Sequence, residues 1–189
     1  MGLGATTCVW PFAAKDEESV AKEQFLSSLD MMRIGFGYDS HRFDEDRPCI
    51  MGGVVFPGAP GLRGFSDGDA VAHALIDAIL GAAALGDVGR HFPPGEERWR
   101  GADSMELLRK AVALVEEEGY RVGNVDVTVI CESPRISPAS DAMRDSLAQA
   151  LNTGAEAVSV KGKTNEKMGW EGRLEGVAVH AVALLVSAS

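Results

Sequence analysis

Residues 64–87 carry the strongest pattern in the chain. A Gly-Phe-Ser-Asp-Gly-Asp opening leads into a series of Ala, Val, Leu and Ile interrupted by His73, Asp77 and Gly81. Ala and Leu favour helix, and Gly86 offers a C-terminal stop, so the series predicts a helix. Ser66 is placed to cap the first turn, with Asp69 three residues on reaching back in a variant of the capping box. Asp67 and Asp69 put negative charge at the positive end of the helix dipole. Asp69, His73 and Asp77 recur every four residues and therefore share one face.

Around this helix the period changes. Residues 33–43 alternate Ile34, Phe36 and Tyr38 with small residues and predict a strand; residues 49–56 predict another, bent or bulged at Gly52-Gly53. The glycine- and proline-rich residues 57–64 read as a loop. Residues 86–95 also read as a loop, a surface connection whose length and composition suit a substrate lid. Asp103 starts a second helix with Glu106 as its capping-box partner and Leu107, Leu108, Val112 and Val115 as its apolar stripe. Val125, Val127 and Val129 line one face of a strand over 122–131. Pro138 opens a third helix that turns Met143, Leu147, Ala150 and Leu151 inward. Two strands, 158–164 and 174–186, close the chain. The order strand-strand-helix-helix-strand-helix-strand-strand predicts an α/β fold of the two-layer α+β sandwich kind, a mixed sheet with helices packed on one face.

Composition narrows what such a fold can do. The 189 residues suit one domain, and a net charge of -10 argues against broad nucleic-acid binding. An acidic protein that handles an anionic substrate needs local cations or metals. Cys8, Cys49 and Cys131 are sparse and odd in number, which fits a reducing compartment. No apolar run is long and charge-free enough to span a membrane. Residues 1–31 differ from the remainder: Trp10-Pro11-Phe12 precedes a polar, acid-rich stretch. They are expected to form a mobile N-terminal extension with a short helix near 19–29, ahead of a functional domain over 32–189. The extension lacks the apolar core of a signal peptide and the arginines of a transit peptide, so a cytoplasmic location is expected. A plastid location would require the extension to be a targeting remnant.

Asp39 and His41 lie two apart on a strand and project from the same side. With His73 they supply three nitrogen or oxygen ligands and leave one position open, the arrangement of catalytic zinc. Asp69 and Asp77 are then the carboxylates expected to orient His73. Taken alone, His73 is more simply a core histidine paired with an acid, and Asp-x-His is common by chance.

Ordered motifs change that balance. Arg33-Ile-Gly-Phe-Gly-Tyr-Asp-Ser-His41 is followed by Ser66-Asp-Gly-Asp-Ala-Val-Ala-His-Ala-Leu75, Leu85-Gly-Asp-Val-Gly89, Phe92-Pro93 and Gly101-Ala-Asp-Ser104. Then come Gly123-Asn-Val-Asp-Val-Thr128, Ser133-Pro-Arg-Ile-Ser-Pro138 and Val160-Lys-Gly-Lys-Thr-Asn-Glu-Lys-Met-Gly-Trp-Glu-Gly-Arg-Leu-Glu-Gly176. Over about residues 32–188 the chain resembles the 2-C-methyl-D-erythritol 2,4-cyclodiphosphate synthase family of the non-mevalonate isoprenoid pathway. The resemblance implies a homotrimer with active sites between subunits, which converts 4-diphosphocytidyl-2-C-methyl-D-erythritol 2-phosphate into the cyclic diphosphate and CMP. It implies zinc on Asp39, His41 and His73, and a second divalent ion, magnesium or manganese, at Glu166. Thr164 corresponds to a hydroxyl that stabilises the transition state. Ser40, Ser66, Asp87, Val88, Gly89 and Phe92 correspond to substrate-binding positions. The cytidine diphosphate is expected against Cys131, Glu132, Ser133, Pro134, Arg135, Ile136, Ser137, Lys163 and Asn165. Trp170 and Arg173 are expected near the methylerythritol phosphate. An isoprenoid diphosphate is a further implied ligand on the trimer axis.

The chain departs from the family pattern at Phe65, which stands where a histidine usually contacts the substrate phosphate. Pro94-Gly95-Glu96-Glu97-Arg98 also replaces an acidic, threonine-containing lid sequence. Phe65 keeps open an alternative, a paralogue that binds zinc and cytidine nucleotide or an isoprenoid diphosphate without turnover. A zinc hydrolase would need a general base beside the open position, and no such residue stands out.

Overall fold

The structure, a computed structural model, describes residues 32–188; the N-terminal extension expected from sequence lies outside the described residues. Strand β1 (Met32–Met51) is 20 residues long because it belongs to two ladders. Its first half pairs antiparallel with β5 (Gly176–Ser187), from Met32 opposite Val186 to Arg42 opposite Gly176. Its second half pairs with β2 (Val54–Leu62), beginning with Phe43 opposite Leu62. Between them come α1 (Ala70–Ala82), α2 (Val88–His91), α3 (Ser104–Glu117), β3 (Tyr120–Ile130), α4 (Ser140–Ala150), β4 (Val158–Lys163) and α5 (Gly169–Gly172). The sheet order is β2-β1-β5-β3-β4, antiparallel except for the parallel β3–β4 pair. A mixed sheet with helices is what the order of elements predicted.

Three local expectations change. Residues 57–64, expected as a loop, are mostly strand β2: Pro57 and Pro60 are tolerated because β2 is an edge strand whose register against β1 slips on either side of Pro48. The β1–β2 hairpin closes through Gly52 and Gly53, both at positive φ, as a two-residue turn demands. Residues 86–95 are not all loop, since Asp87 caps the short α2 by accepting from the Arg90 N–H at 2.9 Å.

The cap of α1 is Asp69, not Ser66. Asp69 is fully buried, and its carboxylate accepts four backbone N–H groups. Val71 and Ala72 donate from the first turn of α1 at 3.0 and 3.1 Å; Gly52 and Gly53 donate from the hairpin turn at 2.9 and 2.7 Å. Burial pushes this carboxyl above its ordinary value, and the N–H donors pull against that. In α3 Asp103 accepts from Met105 at 2.8 Å as expected, while Glu106 pairs with Arg109 at 2.7 Å instead of reaching back to its cap.

Alternation in β1 places small residues toward the helices and large ones away. Gly35 and Gly37 lie against α1 so closely that an added Cβ would meet the carbonyl oxygens of Ala78 and Ala74 at 1.9 Å. Ile34, Phe36 and Tyr38 face outward, 75%, 61% and 45% exposed. The stripes expected on α3 and α4 are buried, as are Val125, Val127 and Val129 of β3. Gly37→Ala is expected to lower unfolding free energy by about 3 kcal/mol, because the opposing group is backbone and cannot rotate away. Asp69→Ala is expected to cost about 3 kcal/mol, through the lost cap and the orphaned turn amides. Urea midpoints at one fixed protein concentration check both, and wild-type midpoints would refute them.

Candidate metal centre and flanking clefts

β1 delivers Asp39 and His41 to its helix-facing side just before it passes from β5 to β2. The first turn of α1 presents His73 to the same place. Asp39 Oδ2 lies 2.8 Å from His41 Nε2 and 3.1 Å from His73 Nδ1, and the two nitrogens are 3.2 Å apart. Among the described residues this is the one group of three His, Cys or carboxylate side chains close enough to share a metal ion. A tetrahedral ion with ligand bonds of about 2.0–2.1 Å separates its ligand atoms by about 3.3 Å, close to the edges of this triangle. His41 Nδ1 donates to the carbonyl of Arg63, which turns the Nε2 lone pair toward the triangle. The donor set and its spacing therefore fit a metal ion.

The same contacts set the electrostatics of these side chains. Burial acts to raise the Asp39 carboxyl, but the neighbouring His41 and His73 imidazoles outweigh it and hold the group well below the usual carboxylate range. Burial acts to lower His41, and the Asp39 carboxylate overrides it to raise that imidazole. The centre is thus built to present an ionised carboxylate.

Behind His73 the contacts differ from the expectation. Asp69 serves the cap and the hairpin turn, and Asp77 Oδ1 accepts from the Val88 N–H at 2.8 Å, tying α2 to α1. The far nitrogen of His73, Nε2, instead lies 3.0 Å from both Ser66 Oγ and Ser104 Oγ. Ser104 is in turn bound to Asp67 through its backbone N–H at 3.0 Å and its hydroxyl at 2.5 Å. Ser104 was not singled out from sequence as a site residue; its signal is that it ends the Gly101-Ala-Asp-Ser motif.

The surface carries three clefts, two of which reach the centre through His41. The first, about 230 Å³, opens on His41 and His73 and is walled by Phe65, Ser66, Val88, Gly89, Phe92, Pro94, Trp99 and Leu107. Phe92 and Trp99 meet edge to face at 5.3 Å, and the Arg100 guanidinium lies 4.7 Å over the Phe65 ring. The second, about 370 Å³, is lined by Cys131, Glu132, Pro134, Arg135, Ile136, Ser137, Pro138, Gly162, Lys163 and Thr164. Pro134 enters this wall through a cis bond from Ser133, which does not itself line the cleft. Glu132 Oε1 accepts from the Asn165 and Lys167 amides, each at 3.0 Å, and so joins the two loops. Thr164 donates to Glu166 Oε1 at 3.2 Å, and Glu166 is exposed with φ 50°. The third, about 330 Å³, gathers Ser40, His41, Arg42, Trp170 and Glu175. Arg173 lies beside it, ion-paired with Glu175 at 2.7 Å. Asp87 stays at the cap of α2. Within one chain the first and second clefts share no lining residue.

The profile of the YgbB family matches residues 32–186. The chain belongs to the YgbB family. It is 56% identical over 156 residues to the 2-C-methyl-D-erythritol 2,4-cyclodiphosphate synthase of Azotobacter vinelandii, covering 82% of this chain and 99% of that relative. The synthase of Symbiobacterium thermophilum is 53% identical over 154 residues, covering 82% and 98%. Among solved structures, the bifunctional IspDF of Campylobacter jejuni superposes with a TM-score of 0.80 at 40% identity, over 82% of this chain and 42% of that one. A CDP-bound 2C-methyl-D-erythritol-2,4-cyclodiphosphate synthase gives 0.74 at 38%, over 81% and 99%. The resemblance to the 2-C-methyl-D-erythritol 2,4-cyclodiphosphate synthase family carried by the motifs is thereby shown, with the family model spanning residues 32–186.

The cleft holding Cys131 also yields a chemical expectation. Burial pushes the Cys131 thiol up to about 12 and the Cys49 thiol up to about 11. Both stay protonated through neutral pH, and the thiolate is the reactive form. Iodoacetamide at pH 8 is expected to leave both unlabelled in native protein and to label both after denaturation, read by peptide mass spectrometry. Native labelling of either would refute this.

Proposed function

We propose that the chain cyclises 4-diphosphocytidyl-2-C-methyl-D-erythritol 2-phosphate to 2-C-methyl-D-erythritol 2,4-cyclodiphosphate with release of CMP, as a phosphorus–oxygen lyase. The convergence of Asp39, His41 and His73 beside a cleft of about 230 Å³, in a chain with these relatives, carries the reading. In the reaction an oxygen of the 2-phosphate forms a bond to the β-phosphorus. The bond from that phosphorus to the oxygen bridging to CMP breaks, and its electron pair leaves with CMP. The attacking oxygen is already ionised, so positioning and charge neutralisation carry the catalysis and no strong base is needed.

Asp39, His41 and His73 would hold zinc and Glu166 a magnesium or manganese ion, supplying Lewis-acid polarisation and neutralisation of the diphosphate. The Cys131–Ser137 turn with Lys163 and Asn165 receives the cytidine diphosphate. Thr164 places its hydroxyl at the phosphates. The pocket walled by Ser66, Val88, Gly89 and Phe92, with Asp87 next to Val88 in the chain, takes the methylerythritol end, and the third cleft, with Ser40, Trp170 and the neighbouring Arg173, adjoins it through His41. The apolar Phe65 wall leaves this pocket one hydrogen-bond donor short of the family pattern.

Two observations support a homotrimer with sites between subunits. The cytidine and metal clefts are separate within one chain, and Ile34, Phe36, Tyr38 and Val182 leave an apolar sheet face uncovered. Gathered around a threefold axis, such faces give an isoprenoid diphosphate an apolar lining. Residues 32–189 are the catalytic domain in this reading, working in the cytoplasm; among the described residues no helix is long and apolar enough to cross a membrane.

Phosphorus NMR of purified protein with zinc, magnesium and the cytidine substrate is expected to show CMP and cyclic diphosphate in equal amounts. A chelator and His73→Ala should each abolish both. CDP binding without turnover would overturn the proposal. Phe65→His is expected to raise kcat at least tenfold, since one donor aimed at developing charge contributes about 10²–10³ in rate.

A further inference from the structure

We infer that Ser104, backed by Asp67, is a positioning residue that fixes the tautomer of His73 and so leaves its Nδ1 bare for the metal. The inference rests on the reading of Asp39, His41 and His73 as a metal centre. Its argument is a count of protons. The Asp67 carboxylate is an acceptor, engaged at Oδ2 by the Ser104 amide at 3.0 Å and at Oδ1 by the Ser104 hydroxyl at 2.5 Å. A hydroxyl has one proton, and here it is committed to Asp67. What Ser104 Oγ presents to His73 Nε2, 3.0 Å away, is a lone pair. Two lone pairs do not bond, so Nε2 carries the hydrogen and donates it.

In a neutral imidazole the other nitrogen is then bare. That nitrogen, Nδ1, is the one facing Asp39 Oδ2 at 3.1 Å and His41 Nε2 at 3.2 Å. Ser104 and Ser66 are 0% and 5% exposed, so bulk water does not compete for these bonds. Ser66 Oγ lies 3.1 Å from Ser104 Oγ and 3.0 Å from His73 Nε2. If it donated to Nε2, the Ser104 lone pair would face that nitrogen unpaired; donating to Ser104, or to an oxygen in the adjoining cleft, leaves the chain of donors intact. Ser104 is the first residue of α3, so the start of that helix sets the position of the lone pair. The outer partners of a ligating histidine hold its ring and raise its basicity, and their loss typically weakens metal binding about 10–100-fold.

Two measurements on the full chain test this. Metal-free protein is titrated with zinc against a chromophoric chelator. Wild type is expected to bind one zinc per chain, and folded Ser104→Ala, checked by circular dichroism, to bind about 10–100-fold more weakly. Long-range proton–nitrogen correlation on zinc-loaded, histidine-labelled wild type needs no variant and resolves the chain's 4 histidines. His73 is expected to show a protonated Nε2 and a bare, metal-bound Nδ1. Wild-type affinity in folded Ser104→Ala, or a His73 proton on Nδ1, overturns the inference while the metal centre stands. A wild-type chain that binds no zinc overturns the metal centre and the inference together.

Discussion

β1 and α1 touch backbone to backbone. Gly35 and Gly37 leave no room for a Cβ against Ala78 and Ala74, and the matching ridge of α1 is alanine at every fourth position through Ala82. This contact fixes how near the strand comes to the helix. Asp39 follows Gly37 on the same side of β1, and His73 immediately precedes Ala74, so the residues that close the gap adjoin those that form the centre. A larger residue in place of either glycine would separate the strand from the helix and with it Asp39 and His41 from His73. Two neighbouring glycines in a strand weaken it intrinsically, and the close packing they permit is the compensation.

A second constraint is the placement of carboxylates in a chain of net charge -10. Burying a charge is tolerable when donors surround it. Asp69 has four backbone amides, which makes it a tie between the β1–β2 hairpin and the start of α1. Asp67, two residues earlier, ties the start of α3 to the same region through Ser104. Asp39 is held ionised by imidazoles. Three carboxylates within about thirty residues thus have three different partners, and each partner sets what the carboxylate does. The polar framework beneath the centre is saturated, which leaves its side chains few alternative positions.

The division into clefts has a physical consequence for assembly. Thr164 and Lys163 border a cleft that shares no wall with the one holding His41 and His73. The reaction proposed here needs both ends of one substrate, and the proposed homotrimer is what would bring such clefts together. The same chain turns Phe36 and Tyr38 outward against His180, at ring separations of 5.7 and 5.1 Å, instead of into its core. Large apolar side chains on the outer face and glycines on the inner one are two sides of the same strand. The packing that brings Asp39, His41 and His73 together is therefore also what leaves the outer face apolar.

Periodicity alone was enough to place the apolar stripes of α3 and α4, the inward valines of β3 and the order of the main elements. Strand parity put Asp39 and His41 on one side, the helix pattern singled out His73 as a third ligand, and the motif context decided for that reading over a core histidine. Those features are legible because they depend on spacing within one segment, which the pitch of a helix or the pleat of a strand converts directly into direction. The edge strand over residues 57–62 was hidden, since its prolines and glycines speak for a loop and only an edge position makes them tolerable. The partners of His73 were hidden for a deeper reason. Spacing on α1 shows that Asp69, His73 and Asp77 share a face, but not which atoms stand opposite it. Asp69 and Asp77 turned to backbone amides, while Ser104, 31 residues away, came to Nε2. Hydrogen-bond partners across elements are chosen by packing between segments, and that choice exists only once β1, α1 and α3 have closed on one another.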